Sequence, residues 1–426
     1  MAGTYNGCLM NRSNTPDLGD LEASDLLVPF AAEHGLAIAG GRIRRTSSRF
    51  CLGVEHGDYN GTELFGVGTD RFIWMAYRPN GTRQVRLASR NFPGDGLVSF
   101  PLGQVPPPRT DGQSHSWARF PWGVDYILHN AGYKLAEGFD AVLWGNIPGG
   151  GMSRSASLSI NLILAFFDVN QILEQDGLRI VDLAQAVENQ YIGSPCGKLD
   201  QIMIYYARQG MGAYYHPQKR SVTHIPLGET AEDFRIVSLD TGTERPGLEK
   251  STYKIRRGEC EELAGLAAGE FGISCLADVR DPGLYARIMD RFGGRYPQLC
   301  DRLKYVYGAQ QRFYRMLEAW TSGDVATVGA LFREDGQGLR DDYKISGPEL
   351  ETMCDIVRTV PGVYGERMLG GGDKGACGAL VAAGSVEAVR QAVEVAYPRS
   401  RPAQAGRHAV HVCKVVDGVA VFDGIL

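Results

Sequence analysis

The stretch that most restricts what this chain can fold into is Pro148-Gly149-Gly150-Gly151-Met152-Ser153-Arg154-Ser155-Ala156-Ser157. Three successive glycines let the backbone come close to an anion. A helix beginning directly after them would aim its first amides, with the positive end of its dipole, at that anion. The flanks agree with this: Ala141 to Gly145 has the composition of a strand, and Leu158, Ile160, Leu162, Ile163, Phe166 and Phe167 suit a buried helix. Strand, glycine loop and helix in that order are common in anion sites, so the loop predicts a phosphate cradle. It is not a Walker A loop, which closes on Gly-Lys-Ser/Thr, because Arg154 is the only cation present. Composition alone leaves open a glycine-rich helix cap that binds nothing.

A chain of 426 residues can bury a sizeable core and suggests two or three domains. A net charge of -5 with 22% charged residues points away from a polybasic nucleic-acid surface and from an acidic tail. Nine cysteines, none in a C-x-x-C pair, read as reduced cytosolic thiols rather than a disulfide framework. His408-Ala409-Val410-His411 is the nearest thing to a metal-ligand pair, but its alternation reads as the edge of a strand, so no zinc site is expected. No apolar run approaches the ~20 residues of a membrane span, and Met1 to Glu22 carries no apolar leader core. The expectation is a cytoplasmic protein with neither a nucleic-acid nor a membrane partner.

Helical periodicity is expected at Leu21 to His34, followed by strand and turn from Gly40 to Gly61, with strands at Leu64 to Tyr77 and Gln84 to Ala88. A proline-rich connector, Pro101 to Arg109, leads to a helix at Trp117 to Ala131 and a strand at Gly138 to Gly145. Beyond the glycine loop, a helix at Val181 to Tyr191 ends at Gly193-Ser194-Pro195, and strands at Ala213 to Tyr215 and Arg235 to Leu239 bracket a domain boundary near residue 220. Helices are then predicted at Tyr253 to Phe271, Pro282 to Phe292, Cys300 to Thr321, Asp324 to Phe332 and Gly347 to Val357. A second glycine-rich loop spans Gly370 to Gly378, followed by a strand at Ala379 to Ala382 and a helix at Val386 to Tyr397. The pattern describes an α+β chain of two lobes, 1–220 and 221–426.

Several collinear motifs resemble the GHMP small-molecule kinases, and the galactokinase branch in particular. Arg49 with Glu55-His56-x-Asp58-Tyr59-Asn60-Gly61 is similar to the galactokinase signature. Gly149 to Ser157 is similar to the family's second motif, Gly193 to Gln201 to the segment carrying its catalytic aspartate, and Gly362 to Gly372 to the approach to its third motif. Trp117 to Gly123, Gly138-Phe-Asp140 and Tyr253 to Glu261 are lesser echoes. The resemblance covers nearly everything after residue 40. It implies a two-lobed fold, with an N-terminal ribosomal-protein-S5-like domain (1–220) and a C-terminal ferredoxin-like α/β domain (221–426).

The implied activity is transfer of the γ-phosphate of ATP to the anomeric hydroxyl of galactose or a close relative, with Mg2+. Phosphoryl transfer to an alcohol needs neutralised phosphates, in-line positioning and a destination for the hydroxyl proton. By the resemblance Asp200 is the base and Arg49 its partner; read alone, the first is rather a helix cap and the second a solvated strand residue. Ser155 and Glu188 match the magnesium ligands, hard oxygens of the kind that ion prefers, with a surface helix carboxylate as the alternative for Glu188. Gly149, Gly150, Gly151, Ser153, Arg154, Ser155, Ala156 and Ser157 are the implied ATP loop. Trp117 and Phe120 match aromatic positions near the base, or belong to an ordinary helix core. Glu55, His56, Asp58 and Tyr253 match residues that face the sugar; paired bonds from a carboxylate to vicinal hydroxyls distinguish epimers.

The pattern departs in places. Arg154 stands where serine is usual, and either assists phosphate neutralisation or points to solvent. Asp373 and Lys374 stand where galactokinases usually have phenylalanine and glycine, and Ser47-Ser48 replace a proline and glycine. Galacturonokinases often carry arginine at the Lys374 position, which admits an acidic sugar; Glu55 would repel a C6 carboxylate and accepts from a C6 hydroxyl. A uronic-acid or other modified-sugar 1-kinase is therefore one alternative, and a non-catalytic sugar and ATP sensor is another. A monomer or weak homodimer is expected.

Overall fold

The computed structural model describes residues 18–108, 116–148, 150–243 and 252–426. The chain opens with α1 (Leu18–Glu33) and runs through β1 (Arg42–Gly53), β2 (Leu64–Pro79), β3 (Gln84–Ser89) and β4 (Leu97–Pro101) to α2 (Arg119–Asn130) and β5 (Phe139–Gly145). After the glycine loop come α3 (Arg154–Val169), α4 (Gly177–Ala186), α5 (Leu199–Tyr205), β6 (Met211–His216), β7 (Ser221–Pro226) and β8 (Phe234–Asp240). Helices α6 (Thr252–Phe271), α7 (Pro282–Gly293), α8 (Pro297–Ser322), α9 (Val325–Asp341) and α10 (Pro348–Arg358) follow. The chain ends with β9 (Val363–Met368), β10 (Ala376–Ala382), α11 (Val386–Ser400), β11 (Ala409–Cys413) and β12 (Val419–Asp423). No helix among the described residues is long and apolar enough to cross a membrane.

Alternation along β2 explains why the larger sheet is covered on both faces. Phe72, Trp74 and Ala76 pack with Ala23, Leu27 and Phe30 of α1, whereas Ile73, Met75 and Tyr77 face the main core with α3. The eight-stranded sheet has the order β12-β1-β2-β5-β3-β4, with β6 pairing β2 and β7 pairing β6; among the described residues only β3 and β5 run parallel. The smaller sheet, β11-β8-β10-β9, is antiparallel throughout.

Two irregularities in the large sheet create the site. Strand β2 pairs β6 through Leu64 to Gly66 and β5 through Ile73 to Pro79, so its two neighbours diverge. In the fork, the Phe72 amide and carbonyl pair with Asn146, where β5 gives way to the glycine loop. The register with β1 jumps from Ser47 opposite Phe72 to Ser48 opposite Thr69, immediately before Arg49. Such bulges re-aim side chains beside functional sites.

Residue 220 does not separate the two sheets. It lies in the turn joining β6 to β7, both strands of the larger sheet, and β12 returns to that sheet as a neighbour of β1. The strands β4, β7, β9 and β12 and the helix α5 are additions to the expected elements, and α9 extends to Asp341. Strand β7 is half-buried along most of its length and so carries no clear hydrophobic alternation. The partner of β12 is more than 300 residues away in sequence, which no local pattern reveals.

Charge, as well as apolar packing, joins the two sheets. Arg49 of β1 lies 3.9 Å from Glu55, whose other carboxylate oxygen takes a 2.8 Å bond from Arg367 of β9. Arg367 in turn approaches Asp335 of α9 at 3.5 Å, and Asp335 accepts from Arg312 of α8 at 3.1 Å. Arg367 is fully buried and lies 4.3 Å over the Phe332 ring. Removing one member of such a set strands a buried charge, at about 3–5 kcal/mol. Arg367→Met is therefore expected to lose about that much unfolding free energy in urea, and adding Glu55→Gln to recover part of it. A single variant as stable as the wild type would show that the buried pair carries no such weight.

Candidate active site

A cavity of about 1110 Å³ opens where the two sheets meet. Its walls come from the end of β1, the turn after it, the start of α3, the segment leading into α5, the first turn of α6 and the second glycine loop.

At its centre Arg49 and Asp200 form a tight pair. The guanidinium binds the same carboxylate oxygen, Oδ1, through Nε at 2.8 Å and Nη2 at 2.7 Å, and Nη1 donates to the Gly151 carbonyl at 3.0 Å. Arg49 is 1% exposed, while the Asp200 side chain keeps 34% exposure. Burial opposes the charge on Arg49, but the carboxylates of Asp200 and Glu55 outweigh it and hold the guanidinium more firmly protonated than usual. Asp200 sits in the first turn of α5, whose capping position is Lys198, so it is not itself the helix cap. Lys198 is turned to Asp182 at 2.5 Å.

Ser155 and Glu188 are also brought together. Ser155 Oγ donates to one Glu188 oxygen at 2.9 Å, and Gln201 Nε2 donates to the other at 3.0 Å. Glu188 is not a surface helix carboxylate: it is buried, in a wide π-type turn continuing α4. Burial first, and the nearby charge of Asp200 second, push its carboxyl up to about 7, against the two hydrogen bonds. Asp58 is pushed up to about 6, chiefly by burial and against the Leu199 amide bond.

The two glycine loops touch. A Cβ on Gly150 would lie 2.5 Å from the Gly375 Cα, and one on Gly370 would lie 3.0 Å from the Gly151 Cα, so larger residues would force the loops apart. Ser48 ties the first loop to β1 by donating to the Met152 carbonyl at 2.7 Å. Ser153 adopts a left-handed conformation at the start of α3 with its hydroxyl buried and unpaired, and Ala156 and Ser157 are buried in the first turn. Arg154 is exposed and lies 5.7 Å from the Phe92 ring centre. Gly149 lies outside the described residues.

Beyond Arg49, the cavity is lined by Glu55, His56, Asp58 and Tyr253. Glu55 and His56 are 3% exposed. Asp58 accepts the Leu199 amide at 3.0 Å, and a Cβ on the intervening Gly197 would fall 1.9 Å from its carboxylate. Tyr253 packs 5.4 Å from His56, ring to ring. Trp117 is 3% exposed and yet lines the cavity, as does Phe120, so it serves the core and the cavity at once.

Residue-by-residue reading gave no role to Ser48, Gln201, Phe92, Tyr343 or Arg367. Three of these, Ser48, Gln201 and Arg367, stood in or beside quoted motifs, but their partners are distant in sequence, so only the fold assigns them. Asp373 turns away from the cavity and accepts the Thr252 amide at the start of α6 at 3.0 Å, while Lys374 is exposed and off the cavity wall. His411 lies in β11, an edge strand of the smaller sheet. Among the described residues, eight cysteines are free and no group of three His, Cys, Asp or Glu side chains is arranged to hold a metal ion.

Residues 121–208 match the family model of the GHMP kinases N-terminal domain. The galactokinase of Enterococcus faecalis is 30% identical over 346 residues, covering 80% of this chain and 86% of that protein. That of Streptomyces coelicolor is 32% identical over 365 residues, covering 85% and 89%. Among solved structures, Lactococcus lactis galactokinase complexed with galactose superposes with a TM-score of 0.85 at 28% identity, over 94% of this chain and 99% of that one. Methanococcus jannaschii mevalonate kinase, at 14% identity and a TM-score of 0.59 over 89% of this chain and 99% of that one, shares the fold.

Glu188 makes stability fall with rising pH. Its folded value near 7 exceeds the ordinary 4.5, so between those values the folded protein holds a proton that the unfolded chain releases. Raising the pH through this window therefore costs stability, by about 3 kcal/mol for the full shift. In magnesium-free buffer the wild type is expected to lose about that much more unfolding free energy than Glu188→Gln between pH 4.5 and 8. Parallel pH profiles for the two proteins would rule this out.

Proposed function

The chain belongs to the galactokinase family of GHMP kinases, and from that premise we propose that it transfers the γ-phosphate of ATP to the anomeric hydroxyl of galactose. The observation that carries this reading is the Arg49–Asp200 pair, set between a glycine-loop end and a carboxylate-rich end of one cavity.

In this reading Asp200 takes the proton of the anomeric hydroxyl. Both guanidinium contacts fall on Oδ1, which leaves Oδ2 for the substrate, and the adjacent guanidinium holds the carboxylate aimed. The amides at the start of α3, with Gly150, Gly151 and the unpaired Ser153 hydroxyl, receive the phosphates, and Gly370 to Gly375 close over them from the other lobe. Ser157 and Ala156 support the first turn, Arg154 adds charge at its mouth, and Trp117 borders the nucleotide base. Glu55, His56, Asp58 and Tyr253 hold the sugar.

Ser155 and Glu188 would hold Mg2+. The fit rests on their chemistry: two hard oxygens 2.9 Å apart, one on a carboxyl whose ionisation a divalent cation favours. When bound, the ion supplies charge neutralisation to the phosphates. The enzyme acts in the cytoplasm on free sugar and ATP, as a monomer or weak homodimer. A neutral C6 hydroxyl is favoured over a uronic acid because Glu55 lines the cavity and Lys374 does not.

The test is ADP release with ATP and magnesium across galactose, glucose, galacturonate, glucuronate, arabinose, fucose and galactosamine. Galactose is expected to turn over best, and Asp200→Asn to lower kcat by roughly 10²–10⁴ with little change in galactose KM, the usual worth of a positioned base. Turnover confined to an acidic sugar would replace galactose by a uronic acid. Binding of sugar and ATP without turnover would replace the enzyme by a sensor.

A further inference from the structure

Behind the carboxylate-rich end of the cavity runs a buried chain of hydrogen bonds that none of the roles above uses. His56 Nδ1 lies 2.9 Å from the Tyr59 hydroxyl, which lies 2.7 Å from the Tyr343 hydroxyl, which lies 3.2 Å from the Cys260 thiol. Asn60 Nδ2 donates to the His56 carbonyl at 2.8 Å and to the Tyr343 hydroxyl at 3.4 Å. The His56 ring is packed against Tyr253 and Tyr343, each 5.4 Å away between centres, and its backbone is held at a φ of 59°. Asn60 and Tyr305 brace that uncommon conformation through the His56 and Glu55 carbonyls.

The direction of the protons follows from what each group can do. A hydroxyl donates once, a neutral imidazole has one donor and one acceptor nitrogen, and a thiol is weak in both roles. The imidazole nitrogen is the best acceptor in the chain, so Tyr59 donates to Nδ1. The Tyr59 oxygen then accepts from Tyr343, and the Tyr343 oxygen accepts from Asn60 and from the Cys260 thiol. The reverse direction would spend the last hydroxyl proton on sulfur, the poorest acceptor. Burial raises both tyrosine hydroxyls well above their ordinary range, so each stays protonated and able to donate.

We propose that Tyr59 and Tyr343 are positioning residues that fix His56 as the tautomer with its proton on Nε2, so that His56 meets a sugar hydroxyl as a hydrogen-bond donor. This rests on the sugar-kinase reading above. It sets one donor among the acceptors Glu55, Asp58 and Asp200, so a hydroxyl shared between His56 and a carboxylate engages both its lone pair and its proton. A sugar epimer that moves that hydroxyl forfeits both bonds.

Two measurements test this with the intact protein. In protein labelled with 15N-histidine, and with His56→Asn used for assignment, the His56 Nδ1 is expected to resonate as an unprotonated nitrogen and Nε2 as a protonated one. A protonated Nδ1 overturns the proposal whether or not the protein is a kinase. The second measurement compares KM for the monodeoxy and deoxyfluoro galactoses at C2, C3, C4 and C6, since fluorine accepts a hydrogen bond but cannot donate one. At one position the fluoro sugar is expected to outperform the deoxy sugar several-fold, and Tyr59→Phe to erase that difference while raising galactose KM on the order of tenfold with kcat little changed. A fluoro advantage at no position, or one that survives Tyr59→Phe, overturns it. If galactose is neither bound nor turned over while Nδ1 is unprotonated, the substrate reading fails and the tautomer assignment stands.

Discussion

An alternating line of charge, Asp200, Arg49, Glu55, Arg367, Asp335 and Arg312, runs from the cavity to the helices behind the smaller sheet. The chain's other features are arranged around it. Taking these groups out of water is costly, and each is tolerable only because a neighbour of opposite sign lies within reach. The line therefore fixes how the lobes meet: β9 cannot shift against β1 without separating Arg367 from Glu55. It also makes the central pair a consequence of the fold, since Arg49 is clamped by Asp200, Glu55 and the Gly151 carbonyl before any ligand arrives. Preorganisation of that kind lets a charged group act without rearranging during the reaction.

The two glycine loops apply the same logic to the backbone. They approach so closely that a Cβ at Gly150 would collide with Gly375, which brings two sets of backbone amides, one from each lobe, to a single mouth. The Ser48 hydroxyl pins the first loop to β1, and the Asp373 carboxylate pins the second to α6. What looks in the sequence like two departures from a family pattern is, in the structure, a pair of tethers. Acid groups held partly neutral complete the picture. Glu188 and Asp58 are raised by burial near Asp200, an arrangement that costs stability at neutral pH.

Much of this was legible beforehand, because it is local. The glycine loop and its helix and the alternation of β2 are written in short stretches, whereas the grouping of Arg49, Glu55, His56, Asp58, Ser155, Glu188 and Asp200 was legible only through the resemblance of several collinear motifs to one family. Less legible were half-exposed strands such as β7, which have no alternation to read, and β12, whose pairing closes a loop of most of the chain. Trp117 was ambiguous for a different reason: a residue on a cavity wall has both a packed side and an open one.

Sequence by itself determined which groups are available and in what order: a glycine loop ahead of a helix, an arginine, several carboxylates and a serine hydroxyl. Tertiary structure decided what each one touches. It set Arg49 on a single oxygen of Asp200, joined Glu55 to Arg367 across the lobes, and strung His56 to Cys260 through two tyrosines. The physical reason is that residue types are encoded locally. The burial and neighbouring charge that tune them arise only when segments hundreds of residues apart are excluded from water together.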